Sequence, residues 1–372
     1  MKIKNFLFII IISFGFPFLF FSIDFLLTKI VFKDYLYFEI NEKRAPKKQY
    51  WRVKHDYYHH GFLPNINETE KNIGFGEHQF ITNSLGFKDK IVREIKKKKT
   101  NHRIIFIGDS FTEGVLLNYE DTFVGIIDKK LEKKNIEVLN AGVGSYYPSI
   151  YYNKIDFLIN KQKLEFDELF VFIDISDASD EFTKKIKNSE IAYEKKLNFF
   201  EHTVKFIKSN FVLTYTLLNI FYDYTKESYL KNQENFVKYS AEKNIFKAGW
   251  TFDKNVYQIY GDYAVKEMRI NMLRLVELCN NQKIKMTIAV YPYFHQIYHN
   301  DFNSIHVEIW EKFSKENNLD FINLFPIFFK ENNSYEDNLE TIKKFYIPFD
   351  IHFNKQGNEL IAEFFLKFYN NK

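Results

Sequence analysis

From residue 103 onward, short apolar runs alternate with longer segments whose apolar residues recur at helical spacing. The short runs are rich in Ile, Val, Leu and Phe, which is typical of strands buried on both faces. They predict strands at 104–107, 136–140, 169–173, 285–291 and 321–324, and the periodic segments predict helices at 149–160, 265–280, 305–317 and 356–369. Since strands separated by helices form a parallel sheet with helices on both faces, the pattern predicts an α/β domain over 101–372.

One stretch, 181–255, interrupts this alternation. A long aromatic pattern at helical spacing, 199–224, is followed by a polar region, 226–249, with little periodicity. We interpret the stretch as a mostly helical insertion after the third strand, lying over the carboxyl edge of the sheet. Such a position suits an insertion that shapes a substrate site, and it suits equally well one that only packs on the domain.

The N-terminal run 6–23 contains no charged residue. As a helix it would be about 27 Å long, enough to cross a bilayer. Lys2 and Lys4 precede it, no small-x-small cleavage site follows, and no cysteine is available for lipidation, so 1–27 is predicted to be an uncleaved transmembrane anchor. The alternative is a buried core helix.

The orientation of this anchor is argued from the flanking basic residues. Lys2 and Lys4 favour a cytoplasmic N-terminus, whereas the basic residues that follow oppose it. Those residues are Lys29, Lys33, Lys43, Arg44, Lys47 and Lys48. We expect a single-pass anchor in the bacterial inner membrane with the remaining chain on the extracytoplasmic side.

Residues 28–100 are predicted to form a basic connector and then an extended arm packed against the α/β domain. His55 and His59 have the i, i+4 spacing of a helical pair of metal ligands. Gly61 and Pro64 argue against a helix there, and no acid or cysteine completes a ligand set. We therefore favour an aromatic-rich surface arm, and expect neither a metal nor another cofactor.

The amino-acid composition limits the possible partners and indicates how large a core the chain can form. The formal net charge of +4 comes from 52 basic and 48 acidic residues spread along the chain, which gives no case for a nucleic-acid partner. With 43 Phe and 25 Tyr, a large core is assured. The lone cysteine, Cys279, lies in a helical pattern and is predicted to be a small core residue, so no internal disulfide forms.

The first predicted strand of the α/β domain ends in Gly108-Asp109-Ser110. Glycine lets the backbone turn sharply, and a serine at the carboxyl end of a buried strand presents its hydroxyl and its backbone N–H to the crevice where open α/β sheets bind ligands. A serine at its ordinary pKa is a poor nucleophile and needs a base and a group that orients the base. Asp350 and His352 stand together just before the last helix, and Asn354 is expected to begin that helix.

These two stretches carry a resemblance to a known family. Residues 103–114, with Gly108-Asp109-Ser110, resemble the first sequence block of the SGNH, or GDSL-type, hydrolase superfamily, and 350–357 resembles its last block, in the right order and at the right end. Residues 82–89 are similar to a segment found upstream of the serine strand in membrane-anchored members. The resemblance implies a flavodoxin-like three-layer α/β/α sandwich with a five-stranded parallel sheet.

The resemblance also implies roles. Ser110 would be the nucleophile, His352 the base and Asp350 the residue that holds the imidazole. In the family the acid commonly stands three positions before the histidine, whereas here it stands two before. On an extended segment, side chains at i and i+2 point to the same side, so Asp350 can still reach His352.

Two further family blocks supply donors for the oxyanion of the tetrahedral intermediate, beside the Ser110 backbone N–H. Residues 140–145 look like the second block, with Ser145 where the family usually has glycine; a backbone donor survives that change. Residues 174–177 look like the third block, with Ser176 where an asparagine amide normally donates. A hydroxyl also donates, but it is shorter and its hydrogen rotates.

The leading interpretation is a serine-dependent acyl-ester hydrolase or O-acyltransferase acting on cell-envelope carbohydrate or lipid. The family resemblance implies the reaction, and the predicted anchor suggests the envelope substrate and, as partners, the membrane and envelope polysaccharide-synthesis proteins. The alternative is a non-catalytic glycan-binding or envelope-assembly protein on the same fold. The changes at Ser145 and Ser176 favour the alternative, whereas Ser110, Asp350 and His352 together favour the enzyme.

Overall fold

The structure is a computed structural model that describes residues 11–31, 49–72, 76–188, 199–243, 245–329 and 333–371. The chain forms two compact units. The smaller comprises Met1–Gln49 and Ala192–Asn232, and the larger comprises Tyr50–Ile191 and Gln233–Lys372.

The strands belong to the larger unit. They are β1 (Arg52–His55), β2 (His59–Phe62), β3 (Asn67–Asn72), β4 (Gly76–Ile81), β5 (His102–Ile107), β6 (Ile136–Asn140), β7 (Glu168–Ile173), β8 (Lys285–Val290) and β9 (Asp320–Asn323). The last five form one parallel sheet in the order β6-β5-β7-β8-β9. This is the flavodoxin-like order, and the prediction of a five-stranded parallel sheet is confirmed.

The helices, in chain order, are α1 (Phe16–Ile30), α2 (Ser110–Glu113), α3 (Phe123–Leu131), α4 (Pro148–Asp156), α5 (Asp177–Asn188), α6 (Phe199–Asn210), α7 (Val212–Leu230), α8 (Gln233–Lys243), α9 (Ile245–Ala248), α10 (Lys254–Val256), α11 (Asp262–Asn281), α12 (Phe294–Tyr298), α13 (Ile305–Glu316), α14 (Phe325–Phe328), α15 (Tyr335–Phe345) and α16 (Lys355–Asn370). Single 3₁₀ turns lie at Tyr119–Asp121, Glu132–Lys134 and Gly249–Thr251, and π-type turns at Ile11–Gly15, Phe157–Lys161 and Tyr257–Gly261.

The central strands are buried on both faces. Every residue of β7 is buried, as expected for a parallel strand covered by helices on each side. Phe106 and Phe170 pack against Phe365 of α16 with ring centroids 5.1 and 4.8 Å away, while the alternate residues face the other layer. Cys279 is buried in α11, and burial raises the pKa of its thiol to about 12.

The arm differs from the prediction of an extended segment. It forms two antiparallel hairpins, β1 with β2 and β3 with β4. Their strands are short and polar and lack the alternation of apolar and polar residues that identifies a half-buried strand in a sequence. The arm packs on the sheet edge through Lys88, which bridges to Asn140 at the end of β6. The Lys88 Nζ also donates to the carbonyl oxygens of Gly114 and Leu117, each at 2.7 Å.

The polar region that lacked periodicity, 226–249, is largely helical. It contains the end of α7 together with α8 and α9, in which Val237 and Ala241 provide a narrow buried face. Just beyond it, the Trp250 Nε1–H donates to the carbonyl oxygen of Ile175 at 2.7 Å. Ile175 follows the carboxyl end of β7, so this part of the insertion lies at the edge of the sheet where the site is expected.

The smaller unit contains α1, α6 and α7. The segment Ser13–Ile30 is long and apolar enough to cross a membrane, a property shared by anchors and signal sequences. Only 11% of that segment is buried, which argues against a core helix. The helix runs past the predicted end at residue 27, and the start of the predicted run, 6–10, lies outside the described residues. The single aromatic pattern predicted at 199–224 is two helices that break at Phe211.

Candidate active site

The turn after β5 places Ser110 at the carboxyl edge of the sheet. A Cβ on Gly108 would lie 2.9 Å from the carbonyl oxygen of Phe172 and would overlap Thr112, so the turn requires glycine. The Asp109 carboxylate accepts the Phe111 N–H at 2.9 Å and caps the one-turn helix α2. Ser110, the first residue of α2, is half-buried.

The structure brings Ser110, His352 and Asp350 together from the two ends of the larger unit. Ser110 Oγ lies 2.8 Å from His352 Nε2. On the other side of the ring, His352 Nδ1 lies 2.5 Å from Asp350 Oδ1. With Nδ1–H donated to Asp350, Nε2 is free to accept the proton of the Ser110 hydroxyl.

A bend in the chain lets the Asp350 carboxylate reach the His352 ring although the two residues are only two positions apart. Residues 350–352 bend instead of running extended, and Asp350 Oδ1 also accepts the backbone N–H of His352 at 2.9 Å. Short side chains commonly accept a backbone N–H two residues on in this way. Phe349, just before, has a φ of 65°, which turns the chain into the bend.

The imidazole is held by packing as well as by hydrogen bonds. The Phe111 ring lies 4.8 Å from the His352 ring and 4.9 Å from Phe353. Burial would raise the pKa of Asp350, but the hydrogen bond to His352 and the positive charge of that ring outweigh it and lower the pKa. Asp350 is therefore ionised across the working pH range of an esterase and can stabilise an imidazolium.

Ser145 stands where the family usually has glycine, and its backbone shows why. Its φ is 63°, the left-handed region that glycine adopts without strain. Within the described residues, neither the Ser145 N–H nor the Ser110 N–H donates a hydrogen bond. The neighbouring Gly144 lies against Ser110, since a Cβ on it would come 3.6 Å from the Ser110 Cβ. The backbone N–H groups of Ser110 and Ser145 are thus both left to donate to a ligand.

The peptide of Gly144 is fixed from both sides by residues that the sequence did not single out for the site. Its N–H donates to Glu113 Oε2 at 2.7 Å, and its carbonyl oxygen lies 2.8 Å from His60 Nε2. Glu113 is buried and forms a bidentate ion pair with Arg52 of β1. Burial would raise the pKa of Glu113, but the Arg52 guanidinium outweighs it and lowers the pKa. The arm thereby supports the loop that carries Ser145.

Ser176 is buried and held by other groups. Its backbone N–H donates to Asp174 Oδ1 at 2.5 Å, and its hydroxyl oxygen accepts from the Tyr293 hydroxyl at 3.3 Å. No hydrogen bond in the described part of the chain joins Ser176 to Ser110 or Ser145. Ser176 is therefore held at the carboxyl edge of the sheet, and its hydroxyl donates to none of the described residues.

Buried carboxyl groups surround the turn. Asp109, Asp174 and Asp177 are all buried, and Asp109 accepts the Tyr291 hydroxyl at 3.0 Å. Burial and the nearby Asp174 raise the pKa of Asp109 well above its ordinary value. Asp109 Oδ2 lies 3.2 Å from Ser110 Oγ, a longer contact than the 2.8 Å between Ser110 Oγ and His352 Nε2.

The histidines of the arm have partners of other kinds. The His55 ring stacks on Tyr58 with ring centroids 3.6 Å apart, and His59 Nδ1 lies 2.7 Å from His60 Nδ1. Burial lowers the pKa of His60, so its ring is neutral and Nε2–H donates to Gly144. Among the residues that the structure describes, no group of three or more His, Cys, Asp or Glu side chains is arranged to hold a metal ion.

Comparison with known proteins gives structural similarities. No protein-family model matches the sequence, and no curated protein matches it. A lipolytic protein of the G-D-S-L family from Desulfitobacterium hafniense is 16% identical, with 72% of this chain and 99% of that chain covered and a TM-score of 0.39.

Two other similar structures are esterases. A psychrotrophic esterase from Pseudoalteromonas is 13% identical, with 73% of this chain and 100% of that chain covered and a TM-score of 0.37. An acetylxylan esterase from Geobacillus stearothermophilus is 12% identical, with 73% and 95% covered and a TM-score of 0.39. Identity is low throughout, so the roles of Ser110, Asp350 and His352 are argued from their geometry in this chain.

Proposed function

We propose that this chain is a serine-dependent acyl-ester hydrolase or O-acyltransferase that works through an acyl-serine intermediate on Ser110. The observation that carries the proposal is the pair of contacts made by His352, 2.8 Å from the Ser110 hydroxyl and 2.5 Å from the Asp350 carboxylate. A nucleophile, a base within reach and an acid that orients the base are what acyl transfer from an ester requires.

The chemistry follows from this arrangement. As Ser110 Oγ bonds to the acyl carbon, its proton moves to His352 Nε2, and Asp350 stabilises the imidazolium through Nδ1–H. When the ester bond breaks, Nε2 returns that proton to the leaving alcohol oxygen. Water or a second alcohol then loses a proton to Nε2 as it attacks the acyl-serine, and that proton goes back to Ser110 Oγ.

The developing oxyanion needs donors already in place. The Ser110 and Ser145 backbone N–H groups are the first two, and removing one such donor typically costs about 3–4 kcal/mol of transition-state stabilisation. The Ser176 hydroxyl is proposed as the third. Because its oxygen accepts from Tyr293, its own proton is left to donate.

We further propose that the substrate is an acylated carbohydrate or lipid of the bacterial cell envelope. The apolar helix α1 would hold the chain in the inner membrane with the larger unit on the extracytoplasmic side, where envelope polysaccharide-synthesis proteins are the expected partners. Ser110 is half-buried and the side chains of His352 and Asp350 are partly exposed, so a substrate can reach all three groups from solvent.

The test is covalent labelling of the purified full-length protein in detergent by a serine-directed fluorophosphonate. Wild type should label, whereas Ser110→Ala and His352→Ala should not. His102→Ala, at the amino end of β5 and far along the strand from the site, is the matched histidine control and should label like wild type. With an acetylated glycan as donor, release of free acetate indicates hydrolysis, and acetate appearing on an added sugar indicates transfer.

One observation favours the non-catalytic alternative. Ser176 replaces the asparagine amide of the family pattern and is already hydrogen-bonded through its N–H and its oxygen. A folded wild type that does not label but binds acetylated polysaccharide would overturn the enzymatic proposal and support a glycan-binding protein.

A further inference from the structure

The two insertion helices of the smaller unit, α6 and α7, pack on the apolar helix α1. Phe211, at the break between them, lies 5.9 Å from the rings of both Phe21 and Phe25 of α1. We use the name insertion hairpin for residues 199–230. Its relation to α1 is defined by polar contacts as well as by these rings.

The start of α7 is capped by α1. Asp24 is fully buried although it lies in a helix that is otherwise apolar and largely exposed. Its carboxylate accepts the backbone N–H groups of Leu213 and Thr214, each at 2.9 Å, and the Thr214 hydroxyl at 2.7 Å. Thr28, one turn further along α1, accepts the N–H of Val212 at 2.9 Å. The first backbone donors of α7 are thus satisfied without water.

The end of α6 is capped by the same helix. The Lys29 Nζ donates to the carbonyl oxygen of Ser209 at 3.2 Å, and the Asn210 side chain donates to that of Phe206 at 2.8 Å. An anion at the start of α7 and a cation at the end of α6 both suit the dipoles of the two helices. One face of α1 therefore supplies partners for backbone groups on both sides of the turn.

Outside these contacts the insertion hairpin exposes an unusually apolar surface. The stretch 212–222 contains no charged residue. Large apolar and aromatic side chains along the hairpin are exposed: Phe199, Val204, Phe206, Leu217, Leu218, Ile220, Phe221, Tyr222, Tyr224 and Tyr229. Phe221 and Tyr224 are 68% and 72% exposed. A soluble surface rarely carries so dense a patch, and Tyr and Phe are typical of the membrane interface.

We propose that the insertion hairpin is embedded in the membrane interface beside α1, with lipid covering its exposed apolar side chains. The uncharged stretch of 11 residues is about 17 Å long as a helix, too short to span a bilayer but typical of an interfacial or re-entrant segment. Within lipid, an unpaired backbone N–H costs several kcal/mol, and a carboxylate is tolerated only when it is paired. The hydrogen bonds between Asp24 and the first N–H groups of α7 satisfy the backbone and the carboxylate at once.

The occupant is a bilayer because the apolar surface of the hairpin belongs to the same compact unit as the candidate membrane helix. The test places single cysteines on the full-length protein in vesicles of phosphatidylethanolamine and phosphatidylglycerol. Cys279→Ala removes the buried native thiol. A fluorophore on Leu217→Cys or Phe221→Cys reports lipid contact through quenching by brominated acyl chains. Leu19→Cys in α1 and Leu273→Cys, an exposed apolar position on α11, are the membrane and water references.

Quenching at residues 217 and 221 is expected to approach that at residue 19 and to exceed that at residue 273 several-fold. If residue 19 is quenched but residues 217 and 221 are quenched no more than residue 273, the proposal is overturned. The partner of that surface is then a protein. Absence of quenching at all three positions would overturn membrane anchoring by α1 as well.

The cap gives an independent arm to the test. Asp24→Ala removes the partner of the Leu213 and Thr214 N–H groups and is expected to lower quenching at residue 221 several-fold while leaving that at residue 19 unchanged. Ser22→Ala, at a half-buried neighbour whose hydroxyl donates to the Phe18 carbonyl of the same helix, is the matched control. Unchanged quenching at 221 in Asp24→Ala would overturn the role of Asp24 in holding the hairpin in the interface.

Discussion

Glu113 Oε2 accepts the backbone N–H of Gly144 at 2.7 Å, which fixes the peptide next to the Ser145 donor. The same carboxylate is paired with Arg52, which comes from the first hairpin of the arm. A residue on the helix that begins with Ser110 is thus paired directly with a residue some sixty positions earlier, and both lie against the loop of Gly144 and Ser145. If Ser145 donates to the oxyanion as proposed, Glu113 and Arg52 act as positioning residues through Gly144.

The first prediction concerns Glu113→Gln. Glutamine is uncharged and replaces one carboxylate oxygen by an NH₂ group, which cannot accept from Arg52, so the ion pair that holds the carboxylate against Gly144 is lost. Hydrogen bonds to charged groups contribute about 1.5–3 kcal/mol, and about 1.4 kcal/mol corresponds to tenfold in rate. We expect kcat for p-nitrophenyl acetate to fall roughly 10- to 100-fold with KM little changed. Steady-state kinetics on the purified full-length protein measures both.

The control for this variant is Glu311→Gln, an exposed glutamate on α13. It should leave kcat and KM at the wild-type values. A Glu113→Gln protein with wild-type kcat, or with a raised KM and unchanged kcat, would show that the Gly144 peptide needs no support from the carboxylate.

The second prediction concerns Asp350→Asn. An amide cannot stabilise the imidazolium and can hold the wrong tautomer of His352, so kcat should fall by on the order of 10³- to 10⁴-fold. Fluorophosphonate labelling should slow in parallel. A loss of tenfold or less would mean that a backbone group, and not Asp350, orients the ring.

The same variant has a predicted pH dependence of stability. Because the pKa of Asp350 is lowered from 3.8 in the folded protein, its stabilising contribution is complete above pH 3.8 and is lost as the pH falls through the lower, folded-state pKa. Asp350→Asn should therefore unfold at lower urea than wild type at neutral pH, and the difference should shrink in acid. A difference that is constant with pH would contradict this linkage.

The third prediction concerns Ser145. Its φ of 63° costs a residue with a side chain about 1–2 kcal/mol of strain. Glycine avoids this strain, but part of the gain is offset because glycine makes the unfolded chain more flexible. Ser145→Gly should therefore be neutral or more stable by up to about 1 kcal/mol. Both Ser145→Gly and Ser145→Ala keep the backbone N–H and should keep kcat. A large drop in kcat for both would identify the hydroxyl, and not the N–H, as the donor.

The sheet and the proximity of Ser110, Asp350 and His352 could be predicted from the sequence for a physical reason. Parallel strands buried on both faces are continuous apolar runs, and the serine turn and the terminal Asp-x-His segment are local in sequence. The bend at Asp350 was not predicted, because an Asp-x-His segment can also run extended, and the hydrogen bond from the His352 N–H to the Asp350 carboxylate that forms the bend is seen only in the structure.

The residues that hold the Gly144 loop in place could not be identified from the sequence, because their contacts are not local. Arg52 and His60 lie on short polar strands of the arm, and their functions depend on contacts with Glu113 and Gly144 that are distant in sequence. The capping of α7 by Asp24 is of the same kind. Asp24 follows the uncharged run 6–23 in the sequence, and nothing in the local pattern indicates that it lies inside α1 and accepts hydrogen bonds from the insertion hairpin.

The arm also buries a cation. The Lys154 Nζ lies over the rings of Tyr58, Phe87 and Tyr146 at 5.2, 5.0 and 4.8 Å, and it donates to the Tyr146 hydroxyl at 3.1 Å. The Tyr146 hydroxyl in turn donates to the carbonyl oxygen of His60 at 2.5 Å. Lys154 thus joins α4 to the hairpin that supports Gly144, and burial lowers the pKa of its ammonium group from 10.5 to about 7.

The fourth prediction follows from that pKa. Between pH 7 and 10.5 the unfolded chain holds the Lys154 proton while the folded chain has lost it, so this residue makes the folded state more stable as the pH rises through that range. Lys154→Met keeps the apolar stem and removes the proton, so it should be more stable than wild type at pH 7 and below, with an advantage that disappears toward pH 10.5. Urea denaturation of both proteins across this range measures the difference, with Lys161→Met, an exposed position on the following turn, as the control. A wild type whose stability falls instead of rising between pH 7 and 10.5 would mean that the three aromatic rings stabilise the ammonium by more than its burial costs.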